Sequence, residues 1–445
     1  MSQIAEKKLT RLSKNSLTPK QLAAIKRLTS RRWTLLVAGT GEGKTAIGLT
    51  SINDLIETGK LAKGLVACPP KVVSVWPKEA KKWEHLKHLR VIAVTGTPEQ
   101  RRKLMAQDCD ILVVSLNNLE WLLQEKHGCD GIIIDEISKA AGKQTRKLNT
   151  KRWGDRFIWR VGMSATPVSQ DFEKLFDICR RIDKGKSFGT NKHDYLQRFF
   201  YSDYMGYNWT LKEDAPTRIL SKIKKLVWLI EDEKHLTLPK LHTHTMRFDM
   251  PEATRKLYDD MKRHMIADGV TAVNAAVQTG KLRQIASGFV YDDLTDRLLF
   301  NEHLDIARTK VAYQWVRGLS GKKCVVFYEY TMQYRMLEMA LTGKGLDVCD
   351  SPEKFSEAQI LLAQIGSLSH GVDGLQHVAH HALFLHPFWS RDQTQQAIGR
   401  LHRTGQKHEV HITTLVCEDT LDDAVLARVE GRAGWMELFT EHLKT

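Results

Sequence analysis

The stretch WTLLVAGTGEGKT, residues 33–45, decides the fold. It runs from the short apolar segment Trp33 to Val37 into Ala38, Gly39, Thr40, Gly41, Glu42, Gly43, Lys44 and Thr45, then into an apolar-periodic segment from Ala46 to Ile56. Strand, glycine-rich loop and helix in that order form a phosphate-binding loop. The glycines let successive backbone N–H groups close around phosphates, Lys44 meets the β and γ phosphates, and the Thr45 hydroxyl ligates Mg²⁺. Ala38 replaces the first glycine of the G-x-x-x-x-G-K-T pattern. Gly185, Lys186 and Ser187 repeat its tail, but there the upstream glycine and strand are missing.

Working outward, strand-like apolar runs recur at 64–67, 91–94, 111–115 and 131–134, separated by helical or polar stretches. That alternation is the rhythm of a parallel sheet covered by helices. A second series follows at 324–328, 346–349, 359–363, 382–385 and 410–416, which predicts a second α/β lobe. Residues 170–232 and 250–300 are rich in helix formers and poor in strand signals, so they read as helical additions. LTLPKLHTH (236–244) reads as extended connector because Pro239 disfavours helix before it. The expected organisation is an N-terminal lobe over 1–235, a linker over 236–249 and a C-terminal lobe over 250–445.

The 445 residues carry 67 Lys and Arg against 52 Asp and Glu, a formal charge of +15. Such an excess favours a polyanionic partner, with nucleic acid first. It is clustered: residues 1–32 hold nine basic groups and one acid, and residues 139–160 hold eight and one. The seven cysteines form no C-x-x-C pair, which argues against a disulfide framework and a zinc site. His377, His380 and His381 lack nearby acids or cysteines in a ligand pattern, so no structural metal is expected. The amino terminus lacks the apolar core of a signal peptide, and no run approaches a membrane span. A cytoplasmic, nucleoid-associated protein of a bacterium or virus-infected cell is expected.

GIIIDEIS (131–138) ends an apolar run in paired acids, placing Asp135 and Glu136 at a strand's carboxyl edge, where α/β sheets bind ligands. Asp135 suits Mg²⁺ and Glu136 suits activation of the attacking water. GMSATPVS (162–169) follows on the next strand and brings the Ser164 and Thr166 hydroxyls towards the γ-phosphate. QQAIGRLHRTGQ (395–406) supplies Arg400 and Arg403, cations of the kind that stabilise phosphoryl transfer, with Gln396 one helical turn before Arg400.

In this order, these pieces resemble helicase superfamily 2, and within it the Swi/Snf-type DNA translocases in a compact, bacterial- or phage-like form. LTPKQ (17–21), VACPPKVVSVWPKEAKKW (66–83), LRQIASG (282–288), KCVVFYEY (323–330) and HPFWSRDQTQQAIGRLHRTGQ (386–406) carry the resemblance most specifically. It implies two RecA-like lobes with helical insertions, and ATP with Mg²⁺ held between the lobes. Gln21 resembles the adenine-contacting glutamine, and Arg400 and Arg403 resemble arginine fingers. Ser164 and Thr166 resemble residues coupling nucleotide state to lobe movement. Pro69, Pro70, Lys71, Ser115, Tyr328 and the loop from Ser369 to Leu375 resemble segments lining a DNA track. Trp389 matches a tryptophan before the arginine-finger helix; it reads more readily as a packed wedge than as a DNA-stacking ring.

Two positions depart from the pattern. Ser138 stands where relatives carry His or Arg, which predicts a weaker or water-mediated contact there. LSHGVDGLQ (368–376) only loosely matches the glycine-rich fifth motif. With 16 residues before LTPKQ and 39 after Gln406, a nucleosome remodeller with reader domains is not expected. The expected activity is ATP-dependent movement on duplex or branched DNA, for branch migration, fork regression, recombination, repair or protein displacement. The rivals are a strand-separating DNA or RNA helicase and a nucleotide-gated DNA-binding subunit driven by a protein partner.

Overall fold

The computed structural model describes residues 11–39, 41–141, 143–165, 172–204, 209–230, 238–267, 270–272, 275–292, 297–299, 307–366, 374–403, 405–427 and 429. They fall into two compact units that part within 231–237.

The first unit is built on strands β1 (Trp33–Ala38), β2 (Gly64–Cys68), β3 (Val91–Val94), β4 (Ile111–Ser115), β5 (Gly131–Asp135) and β6 (Trp159–Ser164). A short antiparallel hairpin, β7 (Phe200–Ser202) and β8 (Trp209–Leu211), precedes β9 (Val227–Ile230). The main sheet is parallel throughout, in the order β3-β4-β2-β5-β6-β1-β9. Its strands are apolar on both faces because helices cover both. Leu35 and Val37 enter one core while Leu36 and Ala38 enter the other, and β2, β4 and β5 alternate in step.

Local chemistry starts the helices. Thr18 and Gln21 form a capping box at α1 (Pro19–Ser30), with Pro19 in the first turn, where its missing N–H costs nothing. Gly43, at φ +77°, opens α2 (Lys44–Glu57). Then come α3 (Val75–Lys82), α4 (Pro98–Met105), α5 (Leu116–Leu122), α6 (Lys151–Gly154), α7 (Phe172–Asp183), α8 (Lys192–Phe199) and α9 (Ala215–Ile223).

The second unit opens with β10 (Leu241–Phe248), followed by α10 (Glu252–His264), the ribbon β11 (Ile266–Ala267) and β12 (Val270–Thr271), and α11 (Ala275–Ile285). A second ribbon pairs β13 (Val290–Asp292) with β14 (Arg297–Leu299). After them come α12 (Ala307–Gly318), β15 (Cys324–Tyr328), α13 (Thr331–Thr342), β16 (Val348–Cys349), β17 (Ile360–Gln364), β18 (His381–Phe384), α14 (Arg391–Leu401) and β19 (Val410–Cys417). The parallel order is β10-β19-β18-β15-β17-β16. Val325, Phe327, Leu361 and Ala382 face one core; Cys324, Val326, Leu362 and Leu383 face the other.

Two parallel sheets flanked by helices are therefore the observed architecture. Three elements differ from expectation. The stretch 236–249 contains an eight-residue strand, β10, which pairs along its length with β19. Its HTHTMRF sequence mixes polar and apolar groups because it is an edge strand, largely exposed, so an apolar run was not required. The helical region 170–232 contains β7, β8 and the sheet strand β9, and 250–300 contains two small ribbons. Among the described residues no helix is long and apolar enough to cross a membrane.

Candidate active site

Parallel pairing sets all the β carboxyl ends of the first sheet along one edge, and the sequence-predicted residues gather there. β1 delivers the loop, β5 delivers Asp135 and Glu136, and β6 delivers Ser164; Val37 pairs with Ser164 and Asp135 with Met163. Gly41 at φ +85° and Gly43 at φ +77° give the loop its left-handed turns. Gly43 is a true requirement, because a Cβ there would overlap the Gln21 amide nitrogen. Lys44 Nζ donates to the carbonyls of Ala38 at 2.9 Å and Gly39 at 3.0 Å, folding its ammonium back over the loop. Thr45 follows in the first turn of α2, where the helix N-terminus favours an anion. Thr40 lies outside the described residues.

Gln21 is held by both ends of its amide. Oε1 accepts from Thr18 N at 2.9 Å, and Nε2 donates to the carbonyl of Glu42 at 3.0 Å. The helix cap thus fastens α1 to the phosphate loop, a role the sequence reading did not assign.

Asp135 is buried, and its side chain accepts from the Glu136 amide at 3.0 Å. Burial and the neighbouring Glu136 charge push its carboxyl well above the usual range, against a downward pull from Lys44. Glu136 occupies the left-handed region at φ +50°, rare for a residue with a side chain, and its Oε2 is buried without a hydrogen-bond partner among the described residues. Two adjacent carboxylates, one with an orphaned oxygen and one resisting ionisation, beside a lysine and a threonine hydroxyl, fit a hard divalent cation and a phosphate chain. Such a cation supplies charge to the phosphate oxygens when bound.

Ser164 Oγ donates to Ser138 Oγ at 3.3 Å, both side chains buried. Ser138 thus meets the hydroxyl at the end of β6 directly. Thr166 lies outside the described residues. Farther along the same edge stand Pro69, Pro70 and Lys71 after β2, and Ser115 at the end of β4. Pro69 and Ser115 are buried, so Pro70 and Lys71 provide the exposed surface there.

In the second unit, α14 begins with Ser390 accepting from Gln393 N at 3.3 Å. Ala397 and Leu401 anchor the helix in the core, and Gln396 is buried beside them. Arg400 lies in its last turn and Arg403 just beyond the helix end; both are half-buried. Tyr328 ends β15, its phenol raised by burial and its ring 5.8 Å from Tyr334. Ser369 lies outside the described residues.

A buried network that the sequence reading left unassigned supports this region. Arg283 of α11 donates from Nη2 to His386 Nδ1 at 2.6 Å and the carbonyl of Pro387 at 3.1 Å, and pairs with Glu329 at 2.9 Å. Its guanidinium also stands over Trp389, 5.9 Å from the ring centre. All five residues fall within stretches that carry the family resemblance. Their mutual contact could not be seen because they lie on three separated segments.

Comparison with known proteins identifies the family and the fold. Residues 21–298, more than half of the chain, match the SNF2-related domain. The putative protein p41 of Acyrthosiphon pisum secondary endosymbiont phage 1 is 27% identical over 439 residues, covering 92% of this chain and 94% of that protein. The DNA repair and recombination protein RDH54 of Saccharomyces cerevisiae is 23% identical over 88% of this chain, which spans 48% of that protein. The Hef helicase domain of Pyrococcus furiosus shares the fold at a TM-score of 0.54 and 13% identity, over 92% of this chain and 96% of that one. With the phosphate loop, the paired acids and this match, the chain belongs to the SNF2-related family and is an ATP hydrolase of that family.

Proposed function

We propose that the protein is an ATP-dependent double-stranded DNA translocase that remodels branched DNA, in branch migration, fork regression, recombination or repair, or strips bound proteins. The observation that carries the reading is the shared edge of the first sheet. There the nucleotide residues on β1, β5 and β6 continue into the exposed Pro70 and Lys71 after β2, with the buried Ser115 ending β4. A displacement of the loop or of the acids is thereby passed along one rigid edge to a surface suited to phosphates. The charge of +15 favours a nucleic-acid track, and the relative RDH54 is named for DNA repair and recombination.

In this reading the loop amides and Lys44 bind the β and γ phosphates, and Gln21 meets the adenine by exchanging its present hydrogen bonds. Thr45 and Asp135 hold Mg²⁺. Glu136 orients the attacking water and takes its proton, helped by an oxygen that is already desolvated. Arg400 and Arg403 neutralise charge that grows on the phosphate, with Gln396 supporting their helix face. Ser164 and Thr166 couple the nucleotide state to lobe movement, with Ser138 accepting from the Ser164 hydroxyl. Tyr328, the loop at Ser369 and Trp389 belong to the second unit's part of the track.

The test is steady-state ATP hydrolysis with no nucleic acid, single-stranded DNA, linear duplex, a four-way junction and RNA, with Lys44→Ala as blank. Stimulation chiefly by duplex or junction supports translocation. Stimulation chiefly by single strands replaces it with strand separation, and none at all replaces it with a subunit whose turnover depends on a protein partner.

A further inference from the structure

The second sheet carries a cluster of donors at the amino ends of β10, β18 and β19, the end opposite Tyr328. His242 on β10 is in register with His411 on β19, and His411 with His381 on β18. In a parallel sheet, register partners stand side by side on one face. The rings of His242 and His411 stack with centres 4.8 Å apart, and those of His381 and His411 at 5.1 Å. His244, two residues along β10, falls on the same face, its Nε2 3.5 Å from His411 Nδ1. Glu409, two residues before His411, adds the acid: its Oε2 lies 3.1 Å from His242 Nε2.

One donor atom each from His242, Glu409 and His411 lies within 4.8 Å of the others, and this is the one such trio among the described residues. We propose that His242, Glu409 and His411 form a binding site for a borderline divalent transition metal of the zinc class, with His244 or water completing the shell. Two imidazoles and a carboxylate are the donor set such ions take, with nitrogen and oxygen at about 2.0–2.2 Å. Tetrahedral ligands at that range stand about 3.3 Å apart, so the most widely separated donors must close by up to about 1.5 Å. His242 and Glu409 have 37% and 55% of their side chains exposed and can move. Because the two rings now lie nearly parallel, closure also requires the His242 ring to turn edge-on. Glu409 offsets the charge of the ion against Lys322, which lies near enough to act on His411.

The sequence contains the site as two halves, H-T-H at 242–244 and E-V-H at 409–411, which acquire meaning only when β10 and β19 pair. The metal would clip an exposed edge strand to its one neighbour. None of these residues belongs to the nucleotide machinery, so the clip is separable from ATP hydrolysis.

The experiment is a calorimetric titration of tag-free, metal-stripped full chain with Zn²⁺, alongside the visible absorption of Co²⁺. It uses an Asp135→Asn background so that the acidic pair does not compete. One ion per chain is expected, with affinity falling at least about tenfold in Glu409→Gln and in His242→Ala. A Co²⁺ band of four-coordinate intensity should disappear in the same variants. The proposal is overturned by absence of saturable binding, or by binding that both variants leave unchanged. Both substitutions are on exposed side chains, and circular dichroism with duplex-stimulated ATPase of the same variants on the native background checks that the fold persists.

Discussion

Glu136 is the residue where local strain and chemistry meet. A left-handed backbone at φ +50° costs of order 1–3 kcal/mol in a residue with a Cβ, and such strain persists where surrounding structure imposes it. The Glu136 side chain carries a desolvated carboxylate oxygen that meets no donor among the described residues. Glu136→Gln should keep ATP binding, read by equilibrium dialysis, while turnover falls by about 10²–10⁴-fold. Near-normal turnover in that variant would remove the general base from the mechanism. Gly43 is a second point of strict demand, since both its φ of +77° and the Gln21 amide exclude a side chain. Gly43→Ala should cost about 1–2 kcal/mol in denaturant unfolding and weaken ATP binding, because the loop and α1 must separate to admit the methyl. Unchanged affinity would show that the Gln21 contact is incidental.

At the scale of elements, the second unit depends on buried arginines that join helices to strand ends. Arg308 at the start of α12 pairs with Asp422 at 2.7 Å, with both side chains almost completely buried. Arg308 also donates to the Ala286 carbonyl at 3.1 Å, while Asp422 accepts from Cys417 N at 3.1 Å. Removing one member strands the other charge out of water, which costs about 3–5 kcal/mol. Arg308→Met should therefore lower the urea midpoint strongly, whereas the exposed pair Arg247 with Asp423 should contribute under about 1 kcal/mol. Equal losses from Arg308→Met and Arg247→Met would refute the distinction. The repeated apolar runs made most sheet strands readable, yet β10 escaped because its pairing, and not its hydrophobicity, makes it a strand. β9 escaped because its four residues sit after a helical tract.

For the molecule as a whole, pH dependence follows from groups buried in their neutral forms. Burial, with Arg156 and Lys63, holds His127 in the first unit down to about 4, and burial with Arg283 and Arg308 holds His386 in the second well below its ordinary value. Unfolded histidine titrates near about 6.5, so the unfolded chain takes up protons first as pH falls. The stability these residues allow is complete above that value and is lost on acidification, for His127 by up to about 3 kcal/mol as pH reaches its folded value. Asp135 has the opposite sign, since its raised pKa favours the folded protein when the carboxyl is protonated. In thermal scans from neutral to acid pH the midpoint of the native chain should shift downward relative to that of His127→Gln, because only the native chain carries the His127 loss while both carry the Asp135 gain; parallel curves would refute the assignment.

The sequence by itself determined the two α/β series, the phosphate loop, the paired acids and the two arginines, because each is a local pattern whose chemistry depends on neighbours in the chain. Tertiary structure alone decided the Gln21 link to the loop, the Ser138 to Ser164 contact, the Arg283 network and the histidines of β10 and β19. These depend on residues brought together across as many as 169 positions, from His242 to His411. A chain records which side chains it carries at each position, but only the pairing register of a sheet decides which of them face one another.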